Sequence, residues 1–224
     1  MIPDLADRSL FPPFLELPED SHGASSTATS ESSAPVLLAQ IKDNMTITKP
    51  TLVLTDRDGH GFALVFDGLD RDGLDLGKLG LKKGATAVVR GARQTVPAPS
   101  AAEPGAPETM TAKAARRQFM RIAPGQAHTV QAVPAGLEQT LAIAAALRSQ
   151  QSRMLAEGCG HCAACDAAGS CGVSGAGVAE DAAVKRLLRC TGCGQAWYCD
   201  RVGWSSGHKS ECKALKALST IWSE

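Results

Sequence analysis

The chain has 224 residues, 23 of them basic and 23 acidic, and a formal net charge of zero at neutral pH. That length holds one ordinary domain and a smaller one, and excludes an enzyme of several large lobes. The balanced charge provides no overall field to attract nucleic acid, an anionic membrane or an acidic substrate.

The opening residues Met1-Ile2-Pro3-Asp4-Leu5-Ala6-Asp7 carry acids and a proline where an export signal needs a basic start and an unbroken apolar run. An unexported, soluble chain is therefore expected, cytoplasmic or nuclear. No segment approaches the roughly 20 apolar residues that span a bilayer, so no membrane partner is expected. Even Leu137 to Leu147 is short and ends at Arg148.

Residues 1–20 include Phe11-Pro12-Pro13-Phe14-Leu15-Glu16-Leu17-Pro18, apolar but broken by prolines, which reads as an extended arm that packs on something. Residues 21–34 are nearly all Ser, Thr, Ala and Gly, too poor in apolar surface to offset the entropy of ordering, and read as a flexible linker.

From residue 35 the pattern is β. Val36 to Ile41, Thr51 to Leu54 and Phe62 to Phe66 are short apolar runs separated by turn residues. Asp56-Arg57-Asp58-Gly59-His60-Gly61 joins the second and third, and its glycines supply the positive φ of a tight hairpin. Asp67 to Gly84, rich in Asp, Gly and Leu, reads as a loop or short helical turn, and Ala85 to Val89 as a further strand. A loose Ala/Pro/Glu loop over Ala98 to Ala112 precedes a last strand at Gln118 to Ile122. Gly136 to Arg148 repeats Leu137, Leu141, Ile143 and Leu147 among alanines, a helix that closes the domain. Roughly five strands with a terminal helix predict an α+β chain in which residues 35–150 form a small OB-like β-barrel.

All eight cysteines fall between Cys159 and Cys212. In an unexported chain they stay reduced, and Cys-x-x-Cys spacing suits a metal better than cross-links. They run Cys159-Gly160-His161-Cys162-Ala163-Ala164-Cys165, then Cys171, then Cys190-Thr191-Gly192-Cys193, then Tyr198-Cys199, and end His208-Lys209-Ser210-Glu211-Cys212. A Cys-x-x-Cys turn sets two thiolates on one side of a knuckle, and a His-x-x-x-Cys pair does the same from one helical face. Two knuckles, a helical pair and a single Tyr-Cys are the parts of a two-zinc module over residues 159–224.

The series Cys190-x2-Cys193-x4-Tyr198-Cys199, followed by Trp204 and His208-Lys209-x2-Cys212, resembles the second half of a MYND-type zinc finger, and the likeness extends over Cys162 to Cys212. The resemblance implies a cross-brace. Cys190, Cys193, His208 and Cys212 hold one zinc; Cys162, Cys165 and Cys199 contribute to the other. The chain departs from the family after Tyr198-Cys199, where Asp200-Arg201-Val202-Gly203-Trp204 stands in place of a segment that carries a further Cys and a Gln. The second site is thus short of a ligand. Cys171 is the first candidate to replace it, with Cys159, His161 and Asp200 behind it; Cys159 and Cys171 read equally well as loose thiols, and His161 as a bystander. Phe14-Leu15-Glu16-Leu17-Pro18, Pro50 to Asp56 with Gly59 and Phe62, Lys82-Lys83-Gly84 and Val133 to Leu137 also resemble the domain that precedes such fingers in some fungal and algal proteins.

Trp197 and Trp204 flank the complete site. Packing over the knuckle accounts for both, because so small a module has little core of its own. The resemblance adds that Trp204 lines a shallow groove for proline-containing peptides. The function expected is a zinc-binding adaptor that grips proline-containing segments of partner proteins. Neither a Gly-rich phosphate loop, a Gly-x-Ser-x-Gly elbow nor a His-Glu-x-x-His helix occurs, so no enzyme is expected. The alternative is single-stranded nucleic acid held by the barrel, with Lys82, Lys83, Arg90 and Arg93 as a basic groove. Against it, the barrel offers only Phe62, Phe66 and Phe119 as aromatics, all in apolar strands that read as core.

Overall fold

The computed structural model describes residues 2–20, 34–95, 119–157, 188–198, 205 and 208–223. The expected linker at 21–34, apart from Ala34, and the expected loop at Ala98 to Ala112 lie outside the described residues. Among the described residues the fold is mixed α+β, with a curled six-stranded sheet, a two-stranded hairpin and two helices.

The sheet is built from β1 (Val36–Asn44), β2 (Thr51–Asp56), β3 (Gly61–Phe66), β4 (Thr86–Arg90), β5 (Phe119–Ile122) and β6 (Val130–Val133), in the order β5-β3-β2-β1-β4-β6. All neighbours are antiparallel except β3 and β5, which are parallel. Five strands fall where apolar runs predict them. The sixth, β6, is four residues long and was not anticipated; it pairs Thr86 with Val133 and Val89 with Val130 along the outer edge of β4.

Alternation decides which side of the sheet is core. Leu52 and Leu54 of β2 and Phe62, Leu64 and Phe66 of β3 point inward every second residue, where Leu37, Ala39, Ile41, Ala87 and Val89 meet them. The register of β1 against β2 slips between Ile41 and Asp43, a bulge that bends β1 and increases the curl. Past Arg90 the chain continues to the opposite end of the sheet, where the amide of Thr95 donates to the carbonyl of Phe119 at 2.9 Å. The segment that follows β4 is therefore joined to the edge strand β5 by an isolated bridge.

The N-terminal arm supplies part of this core. Phe14, fully buried in a one-turn 3-10 segment (Phe14–Glu16), stacks on Phe62 with ring centroids 4.2 Å apart. Its amide donates to the carboxylate of Asp56 at 2.9 Å, and the other oxygen of that buried carboxylate accepts the amides of Asp58 (3.0 Å) and His60 (2.8 Å). Asp56 thus closes the β2–β3 turn and fixes the arm with one side chain. Within the turn Gly59 takes φ +82, as the hairpin reading requires, while Gly61 does not leave the ordinary region. His60 is half-buried and stacks on Phe14.

Backbone contacts divide the chain into one unit of Ala6–Glu138 and another of Met1–Leu5 with Gln139–Glu224. Helix α1 (Leu137–Glu157) starts where expected and runs nine residues further than Arg148, with Ile143, Ala144 and Leu147 buried. In the second unit, β7 (Leu188–Arg189) and β8 (Trp197–Tyr198) form the hairpin, and α2 (Cys212–Ile221) buries Ala214, Leu215, Leu218 and Ile221 along one face. No helix among the described residues is long and apolar enough to cross a membrane.

Candidate metal centre

Four side chains converge between the β7–β8 hairpin and the start of α2. The Sγ atoms of Cys190, Cys193 and Cys212 and a ring nitrogen of His208 all lie within 4.8 Å of one another. The Sγ of Cys190 is 3.7 Å from that of Cys212, and the Sγ of Cys193 is 3.4 Å from Nε2 of His208. A tetrahedral ion bound by thiolates at about 2.3 Å has edges of about 3.8 Å between its sulfurs, so the spacing fits one ion of that kind.

The hairpin shapes the first half of the site. Cys190 follows β7, its amide donates to Ala196 at 2.9 Å, and its carbonyl accepts the amide of Gly194 at 2.8 Å. Gly194 takes φ +67, which turns the chain back into β8. Arg189 locks the turn from outside. Its Nε donates to the Gly194 carbonyl at 2.7 Å while the guanidinium lies over the Trp197 ring, 5.7 Å from the centroid.

The second half comes from the entry to α2. The pair His208 and Cys212 was expected on one helical face, but α2 begins at Cys212 and His208 precedes it, in a turn closed by the Glu211 amide donating to the His208 carbonyl at 3.0 Å. The ring is delivered by that turn and the thiol by the first helical residue. Cys190, Cys193 and His208 are buried and Cys212 half-buried, so the ligand atoms face inward.

The thiols are unequal. Burial works against charge on Cys190, but the amides of Cys193 and Gly192, aided by His208 and Cys212, more than offset it and bring its pKa down to about 6. Burial pushes Cys212 up to about 11, as do its hydrogen bond to Cys190 and the neighbouring charges of Cys193 and Cys190. Crowding thiolates is costly without a cation; a dication among them reverses that cost.

The structure brings together all four members of the complete set. Cys162, Cys165, Cys171 and Cys199, expected at a second site, lie outside the described residues, as do Cys159, His161, Asp200 and Trp204. Sequence reasoning overlooked Arg189 and Gly192. A Cβ on Gly192 would stand 3.0 Å from the Sγ of Cys212 and 3.6 Å from that of Cys190, so the smallness of this residue is part of the site. In the sheet, Phe62 and Phe66 are core, whereas Phe119 is half-buried beneath the Arg121 guanidinium, 5.4 Å from its ring centroid. No family model matches the chain, and no curated protein does.

Proposed function

We propose that the chain is a zinc-binding adaptor, in which a MYND-type finger grips proline-containing segments of partner proteins. The observation that carries this reading is the convergence of Cys190, Cys193, His208 and Cys212 within 4.8 Å, a complete set of three sulfurs and one imidazole. Soft thiolates with one imidazole select zinc among the common cellular dications, and four protein ligands leave no position for a reacting water, so the ion has a structural role. A second, weaker zinc belongs to Cys162, Cys165 and Cys199, with Cys171 or a neighbour completing the set. The curled sheet is read as an OB-like barrel, supported by its parallel β3–β5 pair and by the bridge at Thr95. Burial of Phe62 and Phe66 removes two of the three rings on which bases would stack, which weighs against the nucleic-acid alternative.

The test is binding of proline-containing peptides to the full chain, compared with a Trp204→Ala variant that keeps its zinc. Affinity should fall at least about 10-fold, as for loss of an aromatic anchor. Unchanged affinity would remove Trp204 from the binding surface, and a salt-dependent shift with single-stranded oligonucleotides in place of peptide binding would favour the alternative.

A further inference from the structure

Within the metal centre, Cys212 differs from the other three ligands in being half-buried where they are buried. The Sγ of Cys193 has two partners of its own: the Gln195 amide at 3.5 Å and the His208 ring at 3.4 Å. Cys190 and Cys212 have their sulfurs 3.7 Å apart, and Cys212 is the one half-buried ligand. Directly against this sulfur pair stands the exposed Gly192, where a Cβ would lie 3.0 Å from one sulfur and 3.6 Å from the other.

The two glycines of the knuckle have different reasons to be glycine. Gly194 needs its positive φ, whereas Gly192 lies outside that region and a side chain is excluded there only by the sulfurs. The backbone of Gly192 therefore packs directly against the sulfurs of Cys190 and Cys212, and Cys212 is the less buried member of that pair.

We infer that Cys190 and Cys212 form a redox-sensitive pair through which a hydroperoxide ejects the metal. The inference rests on the reading of these four residues as a zinc site. The Cys212 thiolate attacks the peroxide, breaking the O–O bond; its sulfur becomes a sulfenic acid and the departing oxygen leaves as water after taking a proton. The Cys190 thiolate then attacks that sulfur, forming the S–S bond and expelling hydroxide, which is protonated to a second water. Two thiolates lose two electrons, one hydrogen peroxide gains them, and two protons from solvent complete the balance. With two of four ligands consumed, the dication is left on Cys193 and His208 and leaves. The new bond spans from the knuckle to the first residue of α2, so the oxidised chain keeps a link between the elements that the metal had joined, and a thiol reductant with zinc restores the site.

The test uses the full chain loaded with zinc and treated with graded hydrogen peroxide. Released zinc is followed with a chromophoric chelator, free thiols are blocked, and disulfides are mapped by peptide mass spectrometry without reduction. The expected result is a peptide pair joined through Cys190 and Cys212 that accumulates in step with one equivalent of released zinc, both reversed by a thiol reductant in the presence of zinc. Release with a Cys190–Cys193 bond, release with sulfinic acid and no bond, or retention of zinc after oxidation of other cysteines would each overturn the inference while leaving the zinc reading intact. If a Cys190→Ser chain carries as much zinc as the parent before any peroxide is added, the zinc reading fails first and the inference with it.

Discussion

Nε2 of His208 lies 3.4 Å from the Sγ of Cys193 although the residues are 15 apart in sequence, and this contact ties the knuckle to the turn that launches α2. In so small a unit, with Ala196 and one face of α2 among the buried groups, such ties matter more than apolar area. A structural zinc contributes about 10 to 16 kcal/mol of apparent binding free energy, against the 5 to 15 kcal/mol net stability of a typical domain. Removal of the metal with a chelator should therefore melt α2 and the β7–β8 hairpin. The curled sheet depends on apolar burial, so its β signal in circular dichroism and its melting temperature should stay where they were. A sheet whose melting moved with the finger would contradict two independent stabilities.

Phe14→Ala should destabilise the sheet unit by about 3 to 5 kcal/mol, the usual cost of emptying a buried aromatic site. The ring is fully buried against Phe62, and its backbone amide is held by Asp56. Urea denaturation followed by the β signal measures it; a change below about 1 kcal/mol would show that the arm adds little to the core.

The arm also marks how far this fold could be read from sequence. Short apolar runs bounded by turn residues located β1 to β5, because strands that bury a face must carry such runs. That reading missed β6, where Val130-Gln131-Ala132-Val133 is too short and too mixed to stand out as an apolar run. It gave the arm as apolar and extended, but not that Phe14 fills the core, since that depends on Asp56, 42 residues away. At the metal centre the ligand types and spacing were plain from Cys190-x2-Cys193 and His208-x3-Cys212. The bracing by Arg189 and the space at Gly192 were not, because both arise from the turn's three-dimensional course.

The two knuckle glycines should respond differently to alanine. Gly194→Ala places a Cβ at φ +67 and should cost about 1 to 2 kcal/mol through backbone strain, with metal affinity lowered by about the same free energy. Gly192→Ala brings a methyl within 3.0 Å of the Cys212 Sγ, so it should distort the ligand set and lower zinc affinity without backbone strain. Competitive titration against a chelator of known affinity measures both. An unaltered affinity in Gly192→Ala would show that the sulfurs have room to move.

Metal affinity should rise with pH, and the sign follows from the thiols. Each must be bound as a thiolate, so any proton it carries is released on binding, which favours binding at higher pH. Cys212, pushed up to about 11, carries a proton through the neutral range and contributes one released proton there. Cys190, brought down to about 6, is already a thiolate above that pH and takes up a proton below it. A plot of log affinity against pH should therefore steepen by one proton as pH falls through about 6. Zinc titrations across that range check it; a constant slope would show that Cys190 is not held as a thiolate in the metal-free site.

The central claim is that Cys190, Cys193, His208 and Cys212 hold a zinc ion, and native mass spectrometry of the intact purified chain tests it most directly, alongside Cys190→Ser and His208→Ala. Two zinc ions are expected on the parent chain, and each variant should lose one equivalent, with at least about a 100-fold loss of affinity, since even outer-shell partners of a zinc site are worth 10- to 100-fold. A parent chain without zinc, or variants that carry as much as the parent, would contradict the account.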